Sequence, residues 1–150
     1  MKVLLVDDDD VLRESLAAVL KSGGCEVLEA SNGIDALAVT EKHPVDILVT
    51  DVVMGGMDGL TLAHTLLDRN PNLPVVFISG YMVDFEAEQK RIARCAFLPK
   101  PFPGKTLLNT VRGLYDGERP INSVNAVTIP SASRSDPSSS NHSCSTAPTS

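Results

Sequence analysis

Positive charge, pairable cysteine and long apolar runs are what this sequence has least of, and each shortage removes a class of function. Thirteen Lys and Arg face nineteen Asp and Glu, for a formal net charge of −6. Beyond Gly117 the charged residues are Glu118, Arg119, Arg134 and Asp136, which cancel, so the entire −6 lies on residues 1–117. Phosphate backbones are held by clustered Lys and Arg, so a domain this acidic is not expected to bind nucleic acid directly. The three cysteines, Cys25, Cys95 and Cys144, are odd in number and widely spaced, which is neither a disulfide framework nor a zinc site. No segment reads as a signal peptide, and no apolar run is long enough to span a bilayer. The cytoplasm is therefore the expected compartment, and no membrane partner is expected. There is no internal repeat.

What is present starts with an ordinary core. Hydrophobic residues make up 43% of the 150, which suits one globular domain, expected over residues 1–116. From 117 to 150 the chain turns polar and loses periodicity, and nine of its last twenty residues are Ser. Such a segment cannot bury enough apolar surface to offset its ordering entropy, so a disordered Ser/Pro-rich tail is expected.

Within the domain, short apolar runs alternate with amphipathic stretches. Val3–Val6, Val27–Leu28, Ile47–Val49, Val75–Ile78 and Ala96–Leu98 read as strands. Helices are predicted between and after them. The first carries Val11, Leu12, Leu16, Val19 and Leu20 and stops at Gly23-Gly24. The second carries Ile34, Leu37 and Ala38, and the third Leu60, Ala63, Leu66 and Leu67. A polar fourth helix is predicted over 84–94, and the last carries Leu107, Leu108, Val111 and Leu114. Strict β-α alternation implies an α/β fold, a parallel sheet covered on both faces by right-handed crossovers. Ligands of such sheets sit beyond the carboxyl ends of the strands.

Those ends are where the chemistry-bearing residues fall. The first strand runs into Asp7-Asp8-Asp9-Asp10, the third into Thr50-Asp51, the fourth into Ser79-Gly80 and the fifth into Pro99-Lys100-Pro101. Asp7, Asp8 and Asp51 would repel one another unless a cation intervenes, and a hard divalent ion such as Mg²⁺ suits a carboxylate and carbonyl donor set. Asp9 and Asp10 are better read as capping and charging the first helix. Asp51 can act as a nucleophile toward phosphorus, Lys100 can neutralise it before reaction and pair with phosphoryl oxygens after, and Ser79 can hydrogen-bond one of those oxygens. Each residue alone has a plain structural explanation. All four strand ends carrying the needed group together is what points to phosphoryl transfer.

The segments VLLVDDD at 3–9, ILVTDVVMGGMDG at 47–59, VVFISG at 75–80 and FLPKPF at 97–102 resemble, in order and spacing, the receiver domain of bacterial two-component response regulators. The resemblance covers roughly residues 1–116. It implies a flavodoxin-like (βα)5 fold, a doubly wound five-stranded parallel sheet in strand order 2-1-3-4-5. It implies Asp51 as phosphoacceptor, and Mg²⁺ (or Mn²⁺) held by Asp8, Asp51 and the Val53 carbonyl, with Asp7 acting largely through water. It assigns Ser79 and Lys100 the family's hydroxyl and ammonium roles, Ser79 and Phe97 the switch, and a cis bond to Lys100–Pro101. Such a chain catalyses its own phosphorylation and dephosphorylation without being a conventional enzyme. The partners implied are a histidine kinase or phosphotransfer protein and a downstream protein target. The output surface would be the fourth helix, fifth strand and last helix, through which a dimer could also form. One departure is visible: Met54-Gly55-Gly56 stands where family members usually have Pro after Met, and Gly55 should loosen that loop.

Nothing after residue 117 resembles an output domain, so the expectation is a single-domain regulator acting through protein contacts. Met1 directly before the first strand favours a free-standing protein, and a hybrid-kinase module or truncated regulator is the alternative. Apolar Val53 and bulky Tyr81, flanking the approach to phosphorus, would shield an acyl phosphate from water. A flavodoxin-like FMN binder is a more remote reading, disfavoured because four aspartates would repel a phosphate. A dehalogenase-type phosphatase needs a second Asp where Val53 stands. An adaptor that is never phosphorylated would not need the full set of groups.

Overall fold

The computed structural model describes residues 1–80 and 91–116. The elements are β1 (Lys2–Val6), α1 (Asp10–Ser22), β2 (Glu26–Ala30), α2 (Gly33–Lys42), β3 (Ile47–Asp51), α3 (Gly59–Arg69), β4 (Val75–Ser79), β5 (Cys95–Pro99) and α4 (Gly104–Tyr115). All strand pairs are parallel, in the order β2-β1-β3-β4-β5, as the resemblance implied. The helix predicted over 84–94 falls largely on residues outside those described, as do Tyr81 and the expected tail at 117–150.

Alternation along the central strands sorts the core into two layers. Leu4, Val6, Leu48, Val75 and Phe77 pack with Ala36 of α2 and Leu62, Ala63 and Leu66 of α3. Val3, Leu5, Ile47, Val49, Val76 and Ile78 face the other way, onto Leu16, Ala17 and Leu20 of α1 and Leu107, Val111 and Leu114 of α4. Covering both faces is why β3 and β4 are buried at every position, while the edge strand β2 is mostly half-exposed. Edge position also explains why β2, read from sequence as Val27–Leu28, extends over Glu26–Ala30: its polar residues still pair with β1.

Three helices start on side-chain caps. Asp9 accepts from the Leu12 N–H at 3.1 Å, Asn32 from Asp35 at 2.8 Å and Asp58 from Thr61 at 2.8 Å. The predicted capping role of Asp9 holds, and Asp10 adds its charge to the first turn of α1. Cys25 is a buried free thiol, and Cys95 is buried on β5.

Candidate functional site

Parallel register brings the strand ends level. Val6 lies opposite Thr50, Asp51 opposite Ile78 and Ser79 opposite Pro99. The residues at or just past these positions, Asp7, Asp51, Ser79 and Lys100, therefore meet at one end of the sheet. Asp7, Asp51 and Ser79 are 0%, 6% and 1% exposed, burial that polar groups tolerate only with partners.

Lys100 is the main partner. Its Nζ donates to Asp51 Oδ2 at 3.1 Å and to Asp7 Oδ2 at 3.4 Å. Its own backbone N–H donates to the Ser79 carbonyl at 2.7 Å, continuing the sheet past β5, and the Lys100–Pro101 peptide is cis, as expected. The remaining carboxylate oxygens find main-chain donors: Asp9 N–H to Asp7 Oδ1 at 2.9 Å, and Val53 N–H to Asp51 Oδ1 at 3.3 Å.

The charges do not balance. Asp7, Asp8 and Asp51 offer ligand atoms that all lie within 4.8 Å of one another. Three carboxylates against one ammonium leave two negative charges, the charge of one divalent cation. Burial raises the Asp7 pKa above the usual carboxylate range, and the field of Asp51 adds to it, against the Asp9 N–H and Lys100 pulling it down. Burial pulls the Lys100 ammonium down, but its bond to Asp51 and the charge of Asp7 outweigh that and hold it above its ordinary value. Hard oxygen donors, an uncompensated charge and a buried carboxylate that resists ionisation fit a bound Mg²⁺. Asp8, exposed at the rim, would complete the set.

The loop after Asp51 makes different demands on its glycines. Gly56 is the residue with positive φ, at 77°, and Gly55 has ordinary backbone with open space around it. Met54 is buried in the core and anchors the loop. The demanding glycine is Gly59, the first residue of α3, where a Cβ would lie 2.0 Å from the Asp51 carbonyl oxygen and 3.0 Å from Thr50 Oγ1. That carbonyl also accepts the Thr50 hydroxyl at 2.9 Å. Of the other expected residues, Val53 is 50% exposed and Phe97 is half-buried against the Phe77 side of the core.

Sequence reasoning assigned no role to Thr50, Gly59 or Arg13. Arg13 Nη1 donates to the Asp7 carbonyl at 2.8 Å. A signal for it exists: helical side chains lean toward the helix N-terminus, so a cation in the first turn after a strand-end Asp run points back at that run.

Sheet order and strand-end chemistry define a receiver-type α/β domain, with an acidic, lysine-bridged site at the carboxyl end of the sheet. The family profile described as the response regulator receiver domain matches residues 3–112. The chain is 42% identical over 117 residues to the Sensor kinase CckA of Brucella abortus (strain 2308), an alignment covering 76% of this chain and 12% of that protein. It is 32% identical over 113 residues to the Response regulator receiver protein CpdR of the same strain, covering 73% of this chain and 92% of CpdR. Among solved structures, the receiver domain from the hybrid histidine kinase CckA superposes with a TM-score of 0.65 at 37% identity, covering 77% of this chain and 99% of that one. The chain belongs to the response regulator receiver domain family of two-component signalling. It spans only 12% and 25% of the first two curated relatives that it matches. Among the described residues no helix is long and apolar enough to cross a membrane.

Proposed function

We propose that this chain is a cytoplasmic phosphorylation switch that accepts a phosphoryl group on Asp51 from a histidine kinase or phosphotransfer protein. The observation that carries this reading is the Lys100 ammonium seated between Asp51 and Asp7, with the Asp8 carboxylate alongside. An Asp51 carboxylate oxygen attacks phosphorus in line, forming the O–P bond as the P–N bond of a phosphohistidine breaks and the imidazole leaves. Lys100 holds Asp51 in place beforehand and pairs with a phosphoryl oxygen as charge moves outward. The Ser79 hydroxyl donates to another. Asp7, Asp8, Asp51 and the Val53 carbonyl would hold Mg²⁺ (or Mn²⁺). When bound, the cation supplies the remaining neutralisation of the phosphoryl oxygens.

The added phosphoryl group brings nearly two negative charges and three acceptor oxygens. Ser79 moving toward it would vacate space for Phe97 and so alter the surface of β5 and α4, a two-state element biased by one local charge event. That surface is where a downstream protein, or a second copy, would bind. The domain ends at residue 116 in this reading, with 117–150 a tail that takes no part. A single-domain regulator is favoured by the 92% coverage of CpdR. The hybrid-kinase module is the second reading, favoured by the 42% identity to CckA.

Intact-mass measurement after incubation with acetyl phosphate and Mg²⁺ tests the acceptor. The native chain should gain one phosphoryl group, labile in base, and Asp51→Asn should gain none. A variant that still gains the mass sinks the assignment.

A further inference from the structure

Arg13 has no part in that scheme, yet its guanidinium is tied into the acidic turn. It leaves the first turn of α1 with its side chain only 13% exposed. Nη1 donates to the Asp7 carbonyl at 2.8 Å and pairs with Asp10 Oδ1 at 2.8 Å, and Nε donates to Glu29 Oε1 on β2 at 3.2 Å. Asp10 is 71% exposed, so its ion pair contributes little as a surface contact. The bond into the main chain of the site is a charge-assisted one, of the stronger kind.

The three clustered carboxylates are not held alike. Asp7 is fixed by the Asp9 N–H and Lys100, and Asp51 by the Val53 N–H and Lys100. Asp8 is exposed, and among the described residues its carboxylate makes no hydrogen bond or ion pair. Its direction is therefore left to its backbone. The Asp7 carbonyl and the Asp8 Cα share one rigid peptide plane. Whatever grips that carbonyl sets where Asp8 starts.

We propose that Arg13 is a positioning residue for the divalent-cation site: its grip on the Asp7 carbonyl fixes the Asp7–Asp8 peptide plane and aims the Asp8 carboxylate toward Asp7 and Asp51. Glu29 holds the guanidinium in turn, so the plane is referenced to β2 as well as to α1. The inference rests on the cation reading above.

The test is calorimetric titration of the full chain with MgCl2 alone, beside melting temperatures in EDTA. Arg13→Met keeps the apolar stem and removes the donors. It should weaken Mg²⁺ binding about tenfold, the effect of losing an outer-shell partner. Arg13→Lys keeps a cationic donor on a single nitrogen but not the guanidinium fork, and should fall between native and Arg13→Met. An Arg13→Met affinity within about twofold of native overturns the proposal. Should Arg13→Met fail to fold, Arg13→Lys decides: a few-fold loss supports the proposal, and native affinity overturns it. A native chain that binds no Mg²⁺ overturns the cation reading itself and this proposal with it, an outcome distinct from equal binding by native and variant.

Discussion

Adding one methyl group at Gly59 should damage this protein more than almost any surface change. The new Cβ would sit 2.0 Å from the Asp51 carbonyl oxygen, 1.4 Å short of the 3.4 Å where ordinary contact begins, and 2.9 Å from the carbonyl carbon. The obstruction is main chain, not a side-chain tip that can swing away. It belongs to β3, a strand buried at every position, and is flanked by the Val52 N–H to Ile78 carbonyl bond at 3.0 Å and the Gly59 N–H to Val52 carbonyl bond at 2.9 Å. Overpacking commonly costs about 1–3 kcal/mol, and a clash with fixed backbone belongs at the upper end. Losing the Thr50 hydroxyl bond to the same carbonyl adds about 1 kcal/mol. The better helix propensity of Ala returns about 1 kcal/mol. The net loss is about 3 kcal/mol, or roughly 12 °C in melting temperature for a domain of this size.

The displaced atom is also the backbone of the acceptor, so phosphorylation by acetyl phosphate should slow by about 100-fold if Asp51 shifts by an ångström relative to Lys100. Gly55→Ala is the control: nothing lies within 4 Å of its Cβ and its φ is not positive. It should be neutral or stabilise by about 0.4–1 kcal/mol through the unfolded state. Thermal and urea unfolding followed by far-ultraviolet circular dichroism, with intact-mass kinetics, measures both effects. A Gly59→Ala variant within about 1 kcal/mol of native that phosphorylates at the native rate refutes the argument.

Three further outcomes follow from the same site and a fourth from the segment beyond it. Mg²⁺ at 100 times its dissociation constant should stabilise the fold by about 2.7 kcal/mol, roughly 10 °C, and Asp8→Ala should remove most of that; an unchanged melting temperature across the titration of native protein argues against the site. Because the Asp7 pKa is raised in the fold, its ionised form opposes folding above that pKa, and the penalty is relieved as pH falls through it toward the unfolded value of 3.8. Asp7→Asn should therefore melt higher than native in EDTA at neutral pH and lose that advantage in excess Mg²⁺. Lys100 has the opposite sense: its raised pKa stabilises the fold fully below 10.5, and the contribution is lost as pH rises through the folded value, so Lys100→Met should flatten stability at high pH. Truncation after Asp116 should leave melting temperature and phosphorylation unchanged; a large drop in stability would show that residues 117–150 pack on the domain.

The fold was legible in the sequence wherever burial is continuous. Four-residue apolar runs at Val3–Val6 and Val75–Ile78 can only be central strands of a covered sheet, and the cap residues Asp9 and Asp58 mark where helices begin because a carboxylate there accepts orphan N–H groups. Boundaries of the edge strand were not legible, since Glu26 and Glu29 join β2 through backbone pairing that side-chain type does not report. Asp7, Asp51, Ser79 and Lys100 were found because strand-end position in a parallel sheet is enough to gather them.

By itself the sequence determined the architecture, the identity of the strand-end groups and the excess of negative charge, because alternation, capping and charge are properties of residue types in order. Tertiary structure alone decided three things. Lys100 spans two carboxylates 93 and 49 residues away. Gly59 carries the steric demand of the acceptor loop. Arg13 reaches past its own helix to a main-chain carbonyl and to Glu29 on β2. Each depends on distances between elements far apart in the chain, and those distances are set by how two core layers close on the sheet, which no local pattern encodes.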